Sequence, residues 1–313
     1  MASEEEKKAT LAYEHLEALE DESEDIELEL LRHQYKISKE HYAKREKVVA
    51  EIPQFWGQVL EAAPPDIDEY IQPTDAALLA GHLTNISVDR FELPDGDPRS
   101  IAVKFEFSEN EHFTNKVLEK KFYWRRAKDT WEGHISTPTK IDWKGADKDL
   151  TNGMLDLAIR VHEDEARGTK PEEQTEAKKE LKAKMESTGI DGLSFFAFFG
   201  FRGRQISDEE HAEATKIENE RRQRRKEGKK VEEDDDMDED EDENDEYEWE
   251  IFPTADDLAV TIAEELYPNA IKYFLTAQEQ DALSDLDFED DDEDESDEEM
   301  GGSDEPNKKK RKA

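Results

Sequence analysis

Between Thr10 and Glu51 the chain contains no Gly or Pro, and apolar residues recur there at helical spacing, which predicts one long helix ending before Pro53. At about 1.5 Å per residue such a helix is on the order of 60 Å long. Leu16, Leu19, Ile26, Leu30 and Ile37 follow one another at intervals of 3, 7, 4 and 7 residues and fit heptad a and d positions, with Ser23, His33 and Glu40 as polar interruptions. Leu28, Leu31, Tyr35, Tyr42 and Val49 form a second stripe on another face. A helix apolar on two faces has more to cover than one small domain supplies, so the first stripe is assigned to self-association.

A short Pro-bounded helix is expected around Gln54 to Ala62, after which the period changes to two. Ile101, Val103, Phe105 and Phe107 share one face of a strand, and Pro94, Asp95 and Gly96 mark a turn joining it to Leu83–Leu93 as a hairpin. Val117–Arg126 continues the alternation, and Ile141 with Trp143 marks a fourth strand. From Glu163 to Gly192 the chain is charged, with Ala177–Met185 helical at most. The cluster Phe195, Phe196, Phe198 and Phe199 must be core or interface, and Asp208–Lys230 reads as a solvated helix with a basic end. Thr254, with Asp257 three residues on, looks like a capped helix start. Leu258, Ile262 and Leu266 form that helix's buried stripe, and Ile271–Leu275 follows beyond Pro268. The expected class is α+β: a long N-terminal dimerisation helix plus a globular domain with a four-stranded antiparallel sheet packed on helices. Residues 1–9 are expected to be disordered, 10–51 the helix, 52–200 with 250–280 the globular domain, 201–249 a charged insertion, and 281–313 a disordered acidic tail.

Charge narrows the function. Of 313 residues 41% are charged and only 34% hydrophobic, too few to bury every segment. Glu232–Glu248 holds 14 acidic residues in 17 positions and Glu289–Glu299 holds 10 in 11. Taking those 24 charges from the total of −42 leaves −18, so the folded part is itself acidic. Such a field repels nucleic acid and anionic membranes and attracts cationic proteins. There is no cysteine, apolar run of membrane-span length or signal-peptide stretch, so the expected location is inside the cell. No HExxH, GxxxxGK[ST] or GxGxxG motif is present; no cofactor, metal or enzymatic activity is expected.

The acidic runs mimic the phosphate backbone that basic proteins grip; the alternative is that they serve solubility alone. At 100° per residue Asp257, Thr261, Glu264 and Glu265 fall within an arc of about 100°, an outward strip that is either a contact surface or a solvated face. Arg221, Arg222, Arg224, Arg225, Lys226, Lys229 and Lys230 precede the first acidic run, where they touch DNA or, preferably, are masked by the adjacent carboxylates. Lys308, Lys309, Lys310, Arg311 and Lys312 fit a nuclear import signal.

Several blocks together resemble the nucleosome assembly protein family, its SET-type branch most closely. They are IPQFW at 52–56, SENEHFTNKVLEKKF at 108–122, TKIDWK at 139–144, SFFAFF at 194–199 and ELYPNAIKYFL at 265–275. The resemblance implies antiparallel pairing of the long helices in a homodimer, a globular domain hung from each end, and core histones held on an acidic underside. It implies histones H3–H4, with H2A–H2B as further cargo, in nucleosome assembly and histone transfer. The family's two acidic pairs fall on Asp256 with Asp257 and on Glu264 with Glu265, and Glu289, Asp290, Asp291 and Asp292 represent the tail's contribution. The nucleus, with cytoplasmic shuttling, is the implied location; DNA is met only weakly or indirectly, and no membrane is involved. The acidic insertion before Trp249 is similar to fungal members that partner a histone H3 lysine acetyltransferase. An acetyltransferase cofactor, or a phosphatase inhibitor, is therefore the alternative reading. The chain departs from the family at Gly200 and Phe201, where polar residues are expected, and in the basic 221–230 segment.

Overall fold

The computed structural model describes residues 4–170, 173–189, 192–227 and 249–294. The first helix, α1 (Glu4–Val49), bears two seams. Asp21, Glu24, Leu28, Leu31, Tyr35, Ser38, Tyr42, Arg45 and Val49 are buried or half-buried against the chain's own globular part, at alternating intervals of three and four residues. Leu16, Leu19, Ile26, Leu30 and Ile37 lie on the other side and are 57–63% exposed. The second stripe of the sequence is thus the inner seam, and the assigned stripe is uncovered within one chain. At the C-terminal end of α1 the Arg45 guanidinium is buried over the rings of Tyr42, Trp56 and Tyr267 and donates to the Tyr267 carbonyl.

Helices α2 (Phe55–Glu61), α3 (Pro65–Asp68) and α4 (Pro73–His82) lead into the sheet. Strands β1 (Leu83–Asp89), β2 (Ile101–Phe107), β3 (Val117–Arg126) and β4 (Glu132–Ser136) form an antiparallel meander in chain order. Phe105 sits between Ile86 and Leu118, and Ile101 pairs with Phe122, which pairs with Ser136. The inner face carries Ile101, Val103, Phe105 and Phe107 as the alternation predicts, all at most 5% exposed. After α5 (Met154–Ala166) and α6 (Glu176–Thr188), a 3-10 turn, Phe195–Gly200, covers that face. Phe105 meets Phe195, Phe198 and Phe199 edge-on at 5.6–6.2 Å. The turn starts where it does because Ser194 accepts from the Phe196 amide while the buried Asp75 carboxylate accepts from Ser194 Oγ and the Phe195 amide, each at 2.7 Å. Helices α7 (Asp208–Lys226), α8 (Ala255–Thr261) and α9 (Ala270–Asp294) complete the chain, with a π-helical turn, Ile262–Leu266, after α8.

The fourth strand is not where the sequence placed it. It is Glu132–Ser136, whose inner side chains, His134 and Ser136, carry no apolar signal; pairing with β3 makes it a strand. Ile141 is buried and Trp143 reaches Phe113 through one isolated bridge. Helix α5 begins before the charged stretch and buries Met154, Leu155, Leu157, Ala158 and Val161, a stripe the charge pattern concealed. Phe201, Arg202, Ile206 and Ala214 are buried, so the body extends into the segment read as an insertion from residue 201. Helix α9 continues to Asp294, past the expected start of the tail at 281. The 232–248 run and the terminal basic cluster lie outside the described residues.

One inward residue of β3 is charged. Lys120 is fully buried, and its ammonium donates to the carbonyls of Thr137, Phe199 and Phe201 at 2.7, 3.1 and 2.5 Å, closing the end of the phenylalanine turn. Burial pushes its pKa well down, with Glu250 opposing. The three acceptors nevertheless favour the ammonium, because a neutral amine has only two N–H groups and would turn its lone pair toward a carbonyl oxygen. Lys120→Met leaves three carbonyls without a donor. It is expected to cost about 3 kcal/mol or more, read as a lower urea midpoint at neutral pH, whereas an unchanged midpoint would show the clamp to be dispensable.

Candidate functional site

The acidic pairs lie on α8 and the π turn, which Leu258, Ile262 and Leu266, each at most 1% exposed, press onto the core. Ala255, Ala259 and Ala263, also buried, allow close approach along the same side. Thr254 occupies the N-cap position but makes no side-chain cap; its hydroxyl donates to the Tyr70 hydroxyl at 3.1 Å, which corrects the capping expected from sequence. The π turn widens the helix, with the Tyr267 amide bonded to the Ile262 carbonyl at 2.8 Å. A uniform 100° step therefore does not carry from Asp257 to Glu264 and Glu265.

The four carboxylates are in different states. Asp257 is exposed, and no printed contact engages its carboxylate. Asp256 is half-buried, and desolvation, reinforced by the Asp257 charge, pushes its carboxyl up to about 6. Glu264 is exposed and paired with Arg90 at 3.0 Å, tying the turn to the β1–β2 connection. Glu265 is half-buried and accepts from the Tyr273 hydroxyl at 2.6 Å, which fixes its orientation. Sequence reasoning missed α3, which packs against α8 and adds exposed Asp66, Asp68 and Glu69. The only cue was acidic residues between Pro65 and Tyr70 in a stretch read as irregular.

The remaining candidates separate. Leu16, Leu19, Ile26, Leu30 and Ile37 make a continuous uncovered face on α1, away from the acidic pairs along the chain. Backbone positions 289–292 belong to α9, while the side chains of Glu289, Asp290, Asp291 and Asp292 lie outside the description, as do Lys308 to Lys312 entirely. Gly200 is packed so tightly against Ile251 that a Cβ would collide with it, and Phe201 is 1% exposed. The departure from the family at these two positions is accommodated in the core.

The basic end of α7 is masked, but by α1. Arg225 pairs with Asp21 at 2.8 Å and with Glu218 at 2.7 Å, Lys226 pairs with Asp25 at 3.2 Å, and Arg222 pairs with Glu24. Arg99 joins from the β1–β2 connection, 2.7 Å from Glu24. This corrects the expectation that the adjacent acidic run does the masking; Lys229 and Lys230 lie outside the described residues. No group of three or more metal-ligating side chains occurs among the described residues, and no described helix is long and apolar enough to cross a membrane.

A family model described as nucleosome assembly protein matches residues 3–277. A Schizosaccharomyces pombe protein named for nucleosome assembly is 34% identical over 147 residues, 44% of this chain and 59% of that protein. Protein SET of Drosophila melanogaster is 30% identical over 132 residues, 41% of this chain and 47% of that protein. The chain spans about half the length of these curated relatives. The crystal structure of Vps75, titled a histone chaperone, shares the fold at 22% identity and a TM-score of 0.51, covering 86% of this chain and 98% of that one.

The Asp256 carboxyl gives a pH signature. The folded protein holds this proton more tightly than the unfolded chain, whose ordinary value is 3.8, so the charged form is a penalty present above pH ~6 and lost as the pH falls toward 4. Asp256→Asn is expected to raise the thermal midpoint at about pH 7.5 and to match the parent by about pH 4. An Asn variant less stable at the higher pH would contradict this.

Proposed function

Because the chain belongs to the nucleosome assembly protein family, we propose that it is a histone chaperone: a nuclear, non-catalytic dimer that binds core histones and passes them on in nucleosome assembly. The observation that carries the proposal is that acidity is built into the folded body as well as the tails, with −18 remaining once the two runs are set aside. A tail added for solubility alone does not require an acidic body beneath it. Rigid carboxylates give orientation, because Glu264 and Glu265 are held by Arg90 and Tyr273. The runs at 232–248 and 289–299 raise the capture rate and screen remaining cargo charge.

Histones are the proposed cargo because they are small, strongly basic proteins whose natural partner is the phosphate backbone that such runs imitate. H3–H4 is the first cargo and H2A–H2B a further one. The Lys308–Lys312 cluster would direct the protein to the nucleus, where that cargo is used.

Purified core histones are expected to bind at low ionic strength and to be released as salt rises toward about 1 M, where the Debye length falls to about 3 Å. No binding in dilute buffer would end the proposal. Joint substitution of Asp256, Asp257, Glu264 and Glu265 by Ala is expected to weaken histone binding roughly tenfold while leaving the oligomeric state unchanged. Unaltered affinity would reduce these four to ordinary surface.

A further inference from the structure

The outer seam of α1 is uncovered, and its sequence constrains how a second copy fits against it. We infer that two copies pair antiparallel along α1 with the two-fold axis at residue 28. Leu19 then packs on Ile37 of the partner subunit, and Ile26 on Leu30 of the partner subunit. This rests on the dimer proposed above and adds its register.

With Leu16 at a, the following seam positions are Leu19 (d), Ser23 (a), Ile26 (d), Leu30 (a), His33 (d), Ile37 (a) and Glu40 (d). All the apolar members are exposed within one chain, while the opposite seam is occupied by the chain's own domain. In an antiparallel pair each a position faces a d position of the partner, so registers differ by whole heptads. The register centred on residue 28 matches four of the five apolar residues with apolar partners and sets Ser23 beside the partner's His33. Shifting one heptad in one direction puts Ile26 against the partner's Ser23. Shifting in the other puts Leu30 against the partner's His33 and Leu19 against the partner's Lys44.

Charge supports the same choice. Flanking g positions bring Glu22 beside the partner's Lys36, twice by symmetry. Parallel pairing would set Glu22 against the partner's Glu27 instead. The opposing term is that Glu27 and Glu29 meet their own copies near the axis, and Glu29 is offset by Arg32, 3.8 Å away in the same chain. Asp21 to Asp25 lie three to seven residues from the axis, about 5–10 Å along the rod. The basic end of α7 in each subunit therefore flanks the centre of the dimer.

The chain has no cysteine, so introduced thiols report only on this contact. Leu19→Cys with Ile37→Cys in one full-length chain is expected to give a covalent dimer under mild oxidation. The two positions are about 27 Å apart along a single helix, so the bond must link two chains. Leu19→Cys alone is expected to stay uncrosslinked. Light scattering on the reduced double variant separates the two ideas. A monomer would overturn the dimer itself. A dimer that fails to crosslink at 19 and 37, or that crosslinks through Leu19→Cys alone, would overturn the register and leave the dimer standing. Glu22→Lys and Lys36→Glu are each expected to weaken dimerisation about fivefold and to restore it when combined; absence of that rescue would also overturn the register.

Discussion

The globular part depends on closing one face of a four-stranded sheet with a single six-residue turn of phenylalanines. Aromatic side chains bury roughly 150–250 Å² each, so a short segment supplies what a longer helix would otherwise provide. The drawback of so short a cover is its end, where carbonyls point into the core without ladder or helix partners. Lys120 answers all of these at once from the middle of β3. A charged residue on the inner face of a strand, which alternation alone would reject, is thus the condition for packing the turn.

A second economy appears in α1, where one helix serves two surfaces. The inner seam mixes apolar residues with Asp21, Glu24 and Arg45, because what it meets there includes a basic helix and an aromatic box. The outer seam is built from aliphatic residues separated by polar layers. This division lets the rod brace its own domain at two points while its other side remains free. In the proposed function it also separates the surface that joins copies from the surface that meets cargo.

The sequence revealed much of this where a single periodicity dominated. The long helix, β2, β3 and the buried stripe of Leu258, Ile262 and Leu266 followed directly from spacing. Legibility failed where pairing or geometry overrode local pattern. The inner face of β4 holds His134 and Ser136, so only its neighbour β3 discloses it as a strand. The π turn changes the angular step between Asp257 and Glu264, which no fixed-period projection anticipates. Burial likewise separated Asp256 from Asp257, adjacent residues of one type with different solvation. The role of α7 was half visible: a basic cluster in an acidic protein must be neutralised, but its partners lie some two hundred residues earlier in the chain.

The pairing of Glu250 with the backbone of Arg202 and Gly203, at 3.1–3.2 Å, has a bearing on how such a chain changes over time. It fastens the departure and the return of the polypeptide at one spot, so that the stretch between them is an excursion from fixed posts. Doubling the length of a flexible excursion costs only about 0.6 kcal/mol in closure entropy. Mutation is therefore free to lengthen, shorten or rewrite that stretch with little penalty to the body, which makes it the natural place for lineages with this architecture to diverge.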